Sequence, residues 1–226
     1  MNKIHPTAII AENVILGDNN EIGAYSIIEG PTKIGDNNII GHHVIIGSPG
    51  QDTRNPRYDS KECYIEIGND NIIREFTAIQ KPCYRDVTKL GNNIFLMQSV
   101  HIPHDAVLHD NVVITPMCVL AGITTILKGA NVAMGTTIHQ YSVIGHYSLA
   151  AMGSIVTKNI KPFTIFVSGK PPRVNKYAIE KFGFAEFSDE IEKYVVDDID
   201  PVSNMVLKIT EEFNKLHRES KRPLFK

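Results

Sequence analysis

The chain has 226 residues, 42% of them hydrophobic, and a formal net charge of −2 at pH 7, which predicts one domain with a small appendage and no basic face for nucleic acid. No apolar run approaches the roughly 18 residues of a membrane span and the N-terminus carries no export signal, so we expect a soluble, cytoplasmic protein. The three cysteines show no paired spacing, which is typical of a reducing compartment and gives no metal or disulfide signature.

A six-residue repeat of aliphatic residues begins at the N-terminus. Its first eight members are Ile4, Ile10, Leu16, Ile22, Ile28, Ile34, Ile40 and Ile46. A helix repeats its buried face every 3.6 residues and a strand every 2, so a step of six indicates short strands joined by regular corners. Asp18 and Asp36, each followed by two asparagines, lie 18 residues apart, so one turn of the coil should be three hexapeptides.

Two interruptions of the repeat predict loops. The next aliphatic residue in register after Ile46 is Ile67, so a loop should protrude within 48–63. Eleven residues separate Ile79 from Leu90, so a shorter excursion should cover 81–88. Loops on a rigid scaffold often contact ligands, although a tolerated surface insertion is the alternative.

The repeat then runs without a slip from Leu90 to Val156. Small or β-branched residues, including Cys118, occupy a second inward position four residues after each aliphatic one. A β-sandwich of short strands is the alternative, but its turn lengths would drift. We therefore predict an all-β fold, a left-handed parallel β-helix of hexapeptide repeats over residues 1–160.

The remaining residues, 161–226, predict a small C-terminal α-helical cap. A short helical stretch should cover 175–184, and Asp200 with Pro201 resembles the start of a second helix. An apolar stripe at helical spacing follows: Val202, Met205, Val206, Ile209, Phe213 and Leu216. This stripe should lie against the coil or against a neighbouring subunit.

Polar residues recur along one edge of the predicted coil. Because one turn is 18 residues, His104, Gly122 and Gln140 should stack about 4.8 Å apart, the spacing of paired strands. His101 lies near the same edge, and His139 shares the coil of Gln140. A lone exposed histidine is usually solvated surface, but several polar groups on one ridge indicate a functional site.

Two other interpretations of this ridge stay open. One is a metal enzyme resembling the γ-class carbonic anhydrases, in which three histidines hold zinc between subunits, but here the histidines accompany Asp105 and Gln140 and we predict no metal site. The other is a structural trimer without catalytic activity.

The motifs resemble those of the UDP-N-acetylglucosamine O-acyltransferases that begin lipid A synthesis. The repeat alone is shared by many acyltransferases. The spacing of particular segments is specific to this family: 51–52 (Gln-Asp), 71–75 (Asn-Ile-Ile-Arg-Glu), 101–105 (His-Ile-Pro-His-Asp), 139–140 (His-Gln) and a helix that closes on 183–184 (Gly-Phe). The resemblance covers residues 4–184.

The resemblance implies a homotrimer with active sites in the clefts between adjacent coils. It implies that His104 is the general base, that Asp105 orients it, and that the backbone N–H of Gly122 holds the oxyanion. Asp52 matches a family acidic residue that contacts the sugar, and Arg54 stands where the family uses a lysine near the phosphates. The predicted substrate-binding residues are Gln51, Asp52, Arg54, His101, His139, Gln140, Asn175 and Lys181.

Several positions depart from the family pattern. Ile123 replaces a histidine, and Lys181 with Phe182 replaces two arginines. Met152 stands where long-chain members keep a glycine at the floor of the acyl groove, so a shorter acyl chain is predicted, with simple packing as the alternative. The turn at 169–173 resembles that of hexapeptide acetyltransferases that use coenzyme A.

We therefore predict an enzyme, an acyltransferase that moves a short or medium acyl group from a thioester to a nucleotide-linked amino sugar. O-acylation of UDP-N-acetylglucosamine from acyl carrier protein is one form. N-acylation of a nucleotide-linked amino sugar from acyl-CoA is the other, and the departures favour it slightly. No bound cofactor is expected, since acyl-CoA or acyl carrier protein serves as the donor substrate.

Overall fold

The chain winds into a left-handed parallel β-helix, and the fold predicted from the six-residue repeat is confirmed. The computed structural model describes residues 1–57, 59 and 61–226. Each hexapeptide supplies one short strand and one corner, and three consecutive strands complete one coil. Successive coils pair in register, so that Ile4 lies beside Ile22 and Ile114 beside Val132.

Within the described residues the strands form three sheets, one on each side of the coil. Sheet 1 contains Lys3–Ile4, Glu21–Ile22, Ile39–Ile40, Ile72–Ile73, Phe95–Leu96, Val113–Ile114, Asn131–Val132, Leu149–Ala150, Thr164–Phe166 and Arg173–Val174. Sheet 2 contains Ile9–Ile10, Ile27–Ile28, Ile45–Ser48, Ala78–Gln80, His101–Ile102, Val119–Leu120, Thr137–Ile138 and Ile155–Val156. Sheet 3 contains Val14–Leu16, Thr32–Ile34, Tyr64–Ile67, Val87–Leu90, Val107–Leu108, Thr125–Ile126 and Val143–Ile144.

The core is the column of aliphatic residues that the repeat turns inward. Ile46, Ile102 and Ile114 are completely buried. Polar residues also point inward near the N-terminus, where the side-chain amide of Asn38 donates to Asn20 Oδ1 at 2.9 Å. Buried polar groups are stable when they are hydrogen-bonded, so stacking asparagines on successive coils lets them line the core.

The corners are turned by residues in the left-handed backbone conformation. On the corner between sheets 2 and 3, Asp105, Ile123 and Tyr141 have φ angles of 63°, 64° and 65°. Residues other than glycine seldom adopt this conformation, and here the ladder on both sides of the corner imposes it. The residues just before them therefore occupy equivalent positions on successive coils.

Two segments leave the coil at the same edge. The first follows the strand Ile45–Ser48 and returns at Tyr64, and the second follows Ala78–Gln80 and returns at Val87. The strand Ala78–Gln80 pairs with Ile45–Ser48 on one side and with His101–Ile102 on the other. Both segments therefore emerge just below the corner that carries His104.

The C-terminal cap contains three α-helices, α1 (Lys176–Lys181), α2 (Ser188–Val196) and α3 (Asn204–Glu219), and a 3₁₀ helix at Ala185–Phe187. The start of the last helix predicted at Asp200 was wrong, because α3 begins at Asn204. Glu190 of α2 accepts the backbone N–H groups of Val202 and Ser203 and so holds this segment outside the helix.

The cap packs on the coil through part of its predicted apolar stripe. Val206 belongs to a buried cluster with Tyr147 and Phe163 of the coil. Phe213 is completely buried. Val202 and Met205 are instead 85% and 52% exposed. None of the described helices is both long and apolar enough to cross a bilayer.

The structured coil extends past residue 160. The strand Thr164–Phe166 adds to sheet 1 beside Leu149–Ala150. Phe225 packs edge-on against Phe166, with ring centroids 4.6 Å apart, so the C-terminal segment covers the end of the core. A division into domains at residue 160 stays a prediction.

Candidate active site

His104, Gly122 and Gln140 occupy the same corner on three successive coils. A Cβ atom built on Gly122 would lie 2.3 Å from Cε1 and 2.5 Å from Nε2 of His104. The imidazole edge that carries Nε2 therefore rests against the Gly122 Cα, where no side chain fits. Within the described residues the Gly122 N–H donates to no acceptor. A basic nitrogen and a free backbone donor thus lie within one strand spacing of each other.

Asp105 fixes the other edge of the imidazole. Its Oδ2 lies 2.7 Å from His104 Nδ1, and its side chain is completely buried. The carboxylate also accepts the backbone N–H groups of Cys83, Tyr84 and Arg85, the last at 2.6 Å. Burial opposes ionisation, but His104 and these three amides together hold the pKa of Asp105 below its ordinary value. An ionised Asp105 places the proton of neutral His104 on Nδ1, which leaves Nε2 as the basic nitrogen.

Replacing Asp105 by asparagine should destabilise the protein at neutral pH. The amide group offers a donor to backbone N–H groups that need an acceptor, and each buried donor left unpaired costs about 1–3 kcal/mol. Because folding lowers the pKa of Asp105, its contribution to stability is complete above about pH 4 and is lost as the pH falls through the lowered pKa. Urea unfolding of both proteins at pH 7 and pH 3 should show a difference that shrinks at the lower pH. An equal difference at both values would contradict this role.

The cleft beside His104 has a volume of about 470 Å³. The first protruding loop forms one wall and the corners of the upper coils form the other. The predicted site residues that line it are Gln51, Asp52, Arg54, His104, Gly122 and Gln140. The structure therefore gathers six of the predicted residues into one space, with Asp105 directly behind the imidazole.

Asp52 and Arg54 form an ion pair in this wall. Arg54 Nε lies 2.8 Å from Asp52 Oδ1, and the Tyr84 hydroxyl donates to Asp52 Oδ2 at 2.5 Å. Arg54, followed by Tyr84, holds the pKa of Asp52 well below its usual range. The Arg54 side chain itself is 89% exposed. It therefore places a positive charge at the mouth of the cleft.

His101 and His139 flank this arrangement without lining the cleft. His101 is half-buried on sheet 2, and burial followed by the nearby His104 lowers its pKa. His139 is exposed at the start of the corner that carries Gln140. The backbone carbonyl of Gln140 accepts a hydrogen bond from Arg222 Nε at 2.8 Å, so the C-terminal segment braces this part of the corner.

Asn175 and Lys181 lie at a second cavity, of about 460 Å³, which α1 forms over sheet 1. Asn175 caps α1 by accepting the Ala178 N–H, and its amide donates to the Tyr147 carbonyl at 2.8 Å. Lys181 lies over the rings of Tyr177 and Phe182. Within one chain this cavity and the His104 cleft are on different sides of the coil.

Met152 is 71% exposed and lies on the corner between sheets 1 and 2. It is separated from His104 by the width of sheet 2, and it lines neither cavity. Within one chain, a groove that joins Met152 to His104 would have to cross the face of sheet 2.

Sequence reasoning missed the contribution of the second excursion. Residues 83–85 supply the three amides that hold Asp105, and Tyr84 contacts Asp52. Cys83 is buried beneath Gly50, and burial, followed by Asp105, raises the pKa of its thiol to about 11. A lone tyrosine in a loop outside the repeat gives no signal by which these contacts could be found. Within the described residues no three His, Cys, Asp or Glu side chains converge as metal ligands.

Known proteins share both the repeat and the fold. The model for bacterial transferase hexapeptide (six repeats) matches residues 13–48. The acyl-(acyl-carrier-protein)–UDP-N-acetylglucosamine O-acyltransferase of Thiobacillus denitrificans is 35% identical over 205 residues, which are 82% of this chain and 79% of that protein. The protein of the same name from Pseudomonas savastanoi pv. phaseolicola is 35% identical over 207 residues, 84% of this chain and 80% of its own.

A solved structure extends this likeness to the whole chain. The UDP-N-acetylglucosamine acyltransferase of Bacteroides fragilis 9343 superposes with a TM-score of 0.82 at 26% identity, covering 100% of this chain and 98% of its own. Repeat, coil and relatives together define an acyltransferase of the hexapeptide-repeat class. Within that class, the chain belongs to the family of acyl-(acyl-carrier-protein)–UDP-N-acetylglucosamine O-acyltransferases.

Proposed function

We propose that the protein transfers an acyl group from acyl carrier protein to a hydroxyl group of UDP-N-acetylglucosamine. The observation that carries the proposal is the His104 imidazole, oriented by buried Asp105, with its Nε2 edge against Gly122. The relatives are named for this donor and this acceptor. Their names favour O-acylation from the carrier protein over the N-acylation from acyl-CoA that the sequence departures slightly favour.

The reaction uses His104 as a base and then as an acid. Nε2 takes the proton of the attacking hydroxyl as its oxygen bonds to the thioester carbonyl carbon. Negative charge moves to the carbonyl oxygen, which accepts the Gly122 N–H, a donor with no acceptor among the described residues. The carbon–sulfur bond then breaks, and the imidazolium returns the proton to the leaving thiolate. Asp105 stabilises the imidazolium between these two steps.

We propose that the active assembly is a homotrimer. Sheet 2, which ends at the His104 corner, presents apolar side chains to solvent: Ile9 is 62% exposed, Val119 47% and Ile155 68%. Covering such a face removes apolar surface from water. A neighbouring coil would also bring the Asn175 and Lys181 cavity toward the cleft. Light scattering during gel filtration should give the mass of three chains, and a monomeric mass for the active protein would overturn the assembly.

The purified protein should acylate UDP-N-acetylglucosamine when supplied with acyl carrier protein loaded with chains of different lengths. The product should gain the mass of one acyl group and lose it in hydroxylamine, because esters are cleaved there and amides are not. A short or medium chain should be preferred if Met152 closes a groove across sheet 2. A resistant product formed only from an amino sugar would support N-acylation instead, and no transfer to either acceptor would refute the function.

A further inference from the structure

The two segments that leave the coil below His104 are tied to each other beside the cleft. The side-chain contacts that join them among the described residues include Tyr84 to Asp52 at 2.5 Å, Arg57 to Asp86 at 2.7 Å and Lys81 to Asp59 at 2.7 Å. Of these three contacts, the one between Tyr84 and Asp52 involves a residue that lines the cleft. It is therefore the contact through which the second segment can control the position of the cleft wall.

The carboxylate of Asp52 is fully engaged by residues of its own chain. Oδ1 accepts Arg54 Nε at 2.8 Å and the Arg54 backbone N–H at 3.3 Å. Oδ2 accepts Arg54 Nη2 at 3.2 Å and the Tyr84 hydroxyl at 2.5 Å. A carboxylate has about four acceptor sites, and each oxygen of Asp52 accepts two hydrogen bonds from its own chain. The Asp52 side chain is 17% exposed, so it is held mainly by these protein contacts.

Arg54 is oriented outward by this anchor. Its guanidinium gives two N–H groups to Asp52. About three of its five N–H donors remain directed to solvent. Within the described residues, Arg54 forms an ion pair with Asp52. The Arg54 side chain is 89% exposed. A planar guanidinium with free donors matches the oxygens of a phosphate, such as those of a sugar nucleotide.

Tyr84 is held in turn by the carboxylate that orients the base. Its backbone N–H donates to Asp105 Oδ1 at 3.0 Å. Its ring centroid lies 5.8 Å from that of His104. One residue therefore connects the catalytic pair to Asp52, and through Asp52 to Arg54.

We propose that Tyr84 is a positioning residue that sets the placement of Arg54 relative to His104, so that the phosphates of the acceptor are bound while its hydroxyl lies at the base. The inference rests on the proposed function. To the sugar contact that the family resemblance implies for Asp52, it adds a second role as the internal anchor for Arg54.

The test is the substitution Tyr84→Phe, which keeps the ring and the backbone contacts with Asp105 but removes the hydroxyl. The KM for UDP-N-acetylglucosamine should rise about tenfold, the scale of one hydrogen bond to a charged group, while kcat changes less than about threefold. Tyr25→Phe, which alters an exposed tyrosine on the corner between sheets 1 and 2, is the matched control and should change neither constant. A fall in kcat with unchanged KM would overturn the proposal.

A double-substitution cycle identifies Arg54 as the group through which Tyr84 acts. In an Arg54→Gln background, Tyr84→Phe should have almost no further effect on KM, and fully multiplying effects would contradict the connection.

Calorimetric binding of UDP provides a readout that does not need turnover. If wild type transfers no acyl group, the proposed function fails, but weaker UDP binding by Tyr84→Phe would still support the positioning role. Equal binding by both proteins, or none by wild type, would overturn it.

Discussion

Replacing His104 by glutamine should lower kcat by a factor of about 10² to 10⁴, the range typical of a lost general base. Glutamine can occupy much of the same space but cannot accept the proton of the attacking hydroxyl. The KM for the acceptor should change much less, because His104 acts on the reacting atoms. The measurement is steady-state transfer at saturating donor and acceptor concentrations.

The control for this substitution is His5→Gln, which changes an exposed histidine on the first coil. It should leave kcat unchanged, and both variants should keep the melting temperature of the wild type within a few degrees. Because His104 is only 14% exposed and binds buried Asp105, the melting temperature is the check that the variant folds correctly. Undiminished turnover by His104→Gln would remove His104 as the base, whatever the relatives catalyse.

Replacing Gly122 by alanine should cause a loss of similar size without removing any catalytic group. The new methyl carbon would meet His104 Cε1 at 2.3 Å, far inside van der Waals contact, so the imidazole must leave its position. A displaced base loses the near-attack geometry on which the reaction depends. The loss should appear in kcat, measured as for His104→Gln.

Combining the two substitutions tests whether they act through the same group. In a His104→Gln background, the further change Gly122→Ala should cost much less than it does alone, since there is no imidazole left to displace. If the two losses multiply in full, the clash is not the cause, and a role of Gly122 independent of His104 would be required.

The fold could be predicted because it follows from a strict period. Each aliphatic residue at a step of six points into the core. Three steps complete one coil, so the period alone places His104 one coil below Gly122. The stacking argument therefore located this pair from spacing alone. The buried asparagines Asn20 and Asn38 follow the same period, and their amides satisfy one another on successive coils.

The parts that were missed lie where the period stops. The three amides that hold Asp105 come from an excursion whose path the repeat does not determine. The start of α3 depends on Glu190, which binds the preceding backbone from another helix. Asn175 and Lys181 were predicted from family resemblance, which cannot show that one chain places them on a different sheet from His104.

Cys83 of the second excursion is buried beneath Gly50 of the first, so chemical labelling of its thiol tests whether the two excursions separate. Thiol reagents attack the thiolate, which a raised pKa and a buried sulfur both disfavour. The other two cysteines are buried as well. In a variant with Cys63 and Cys118 replaced by serine, the alkylation rate would therefore report how often the cleft wall opens and exposes the Cys83 sulfur. Saturating acceptor should slow this alkylation.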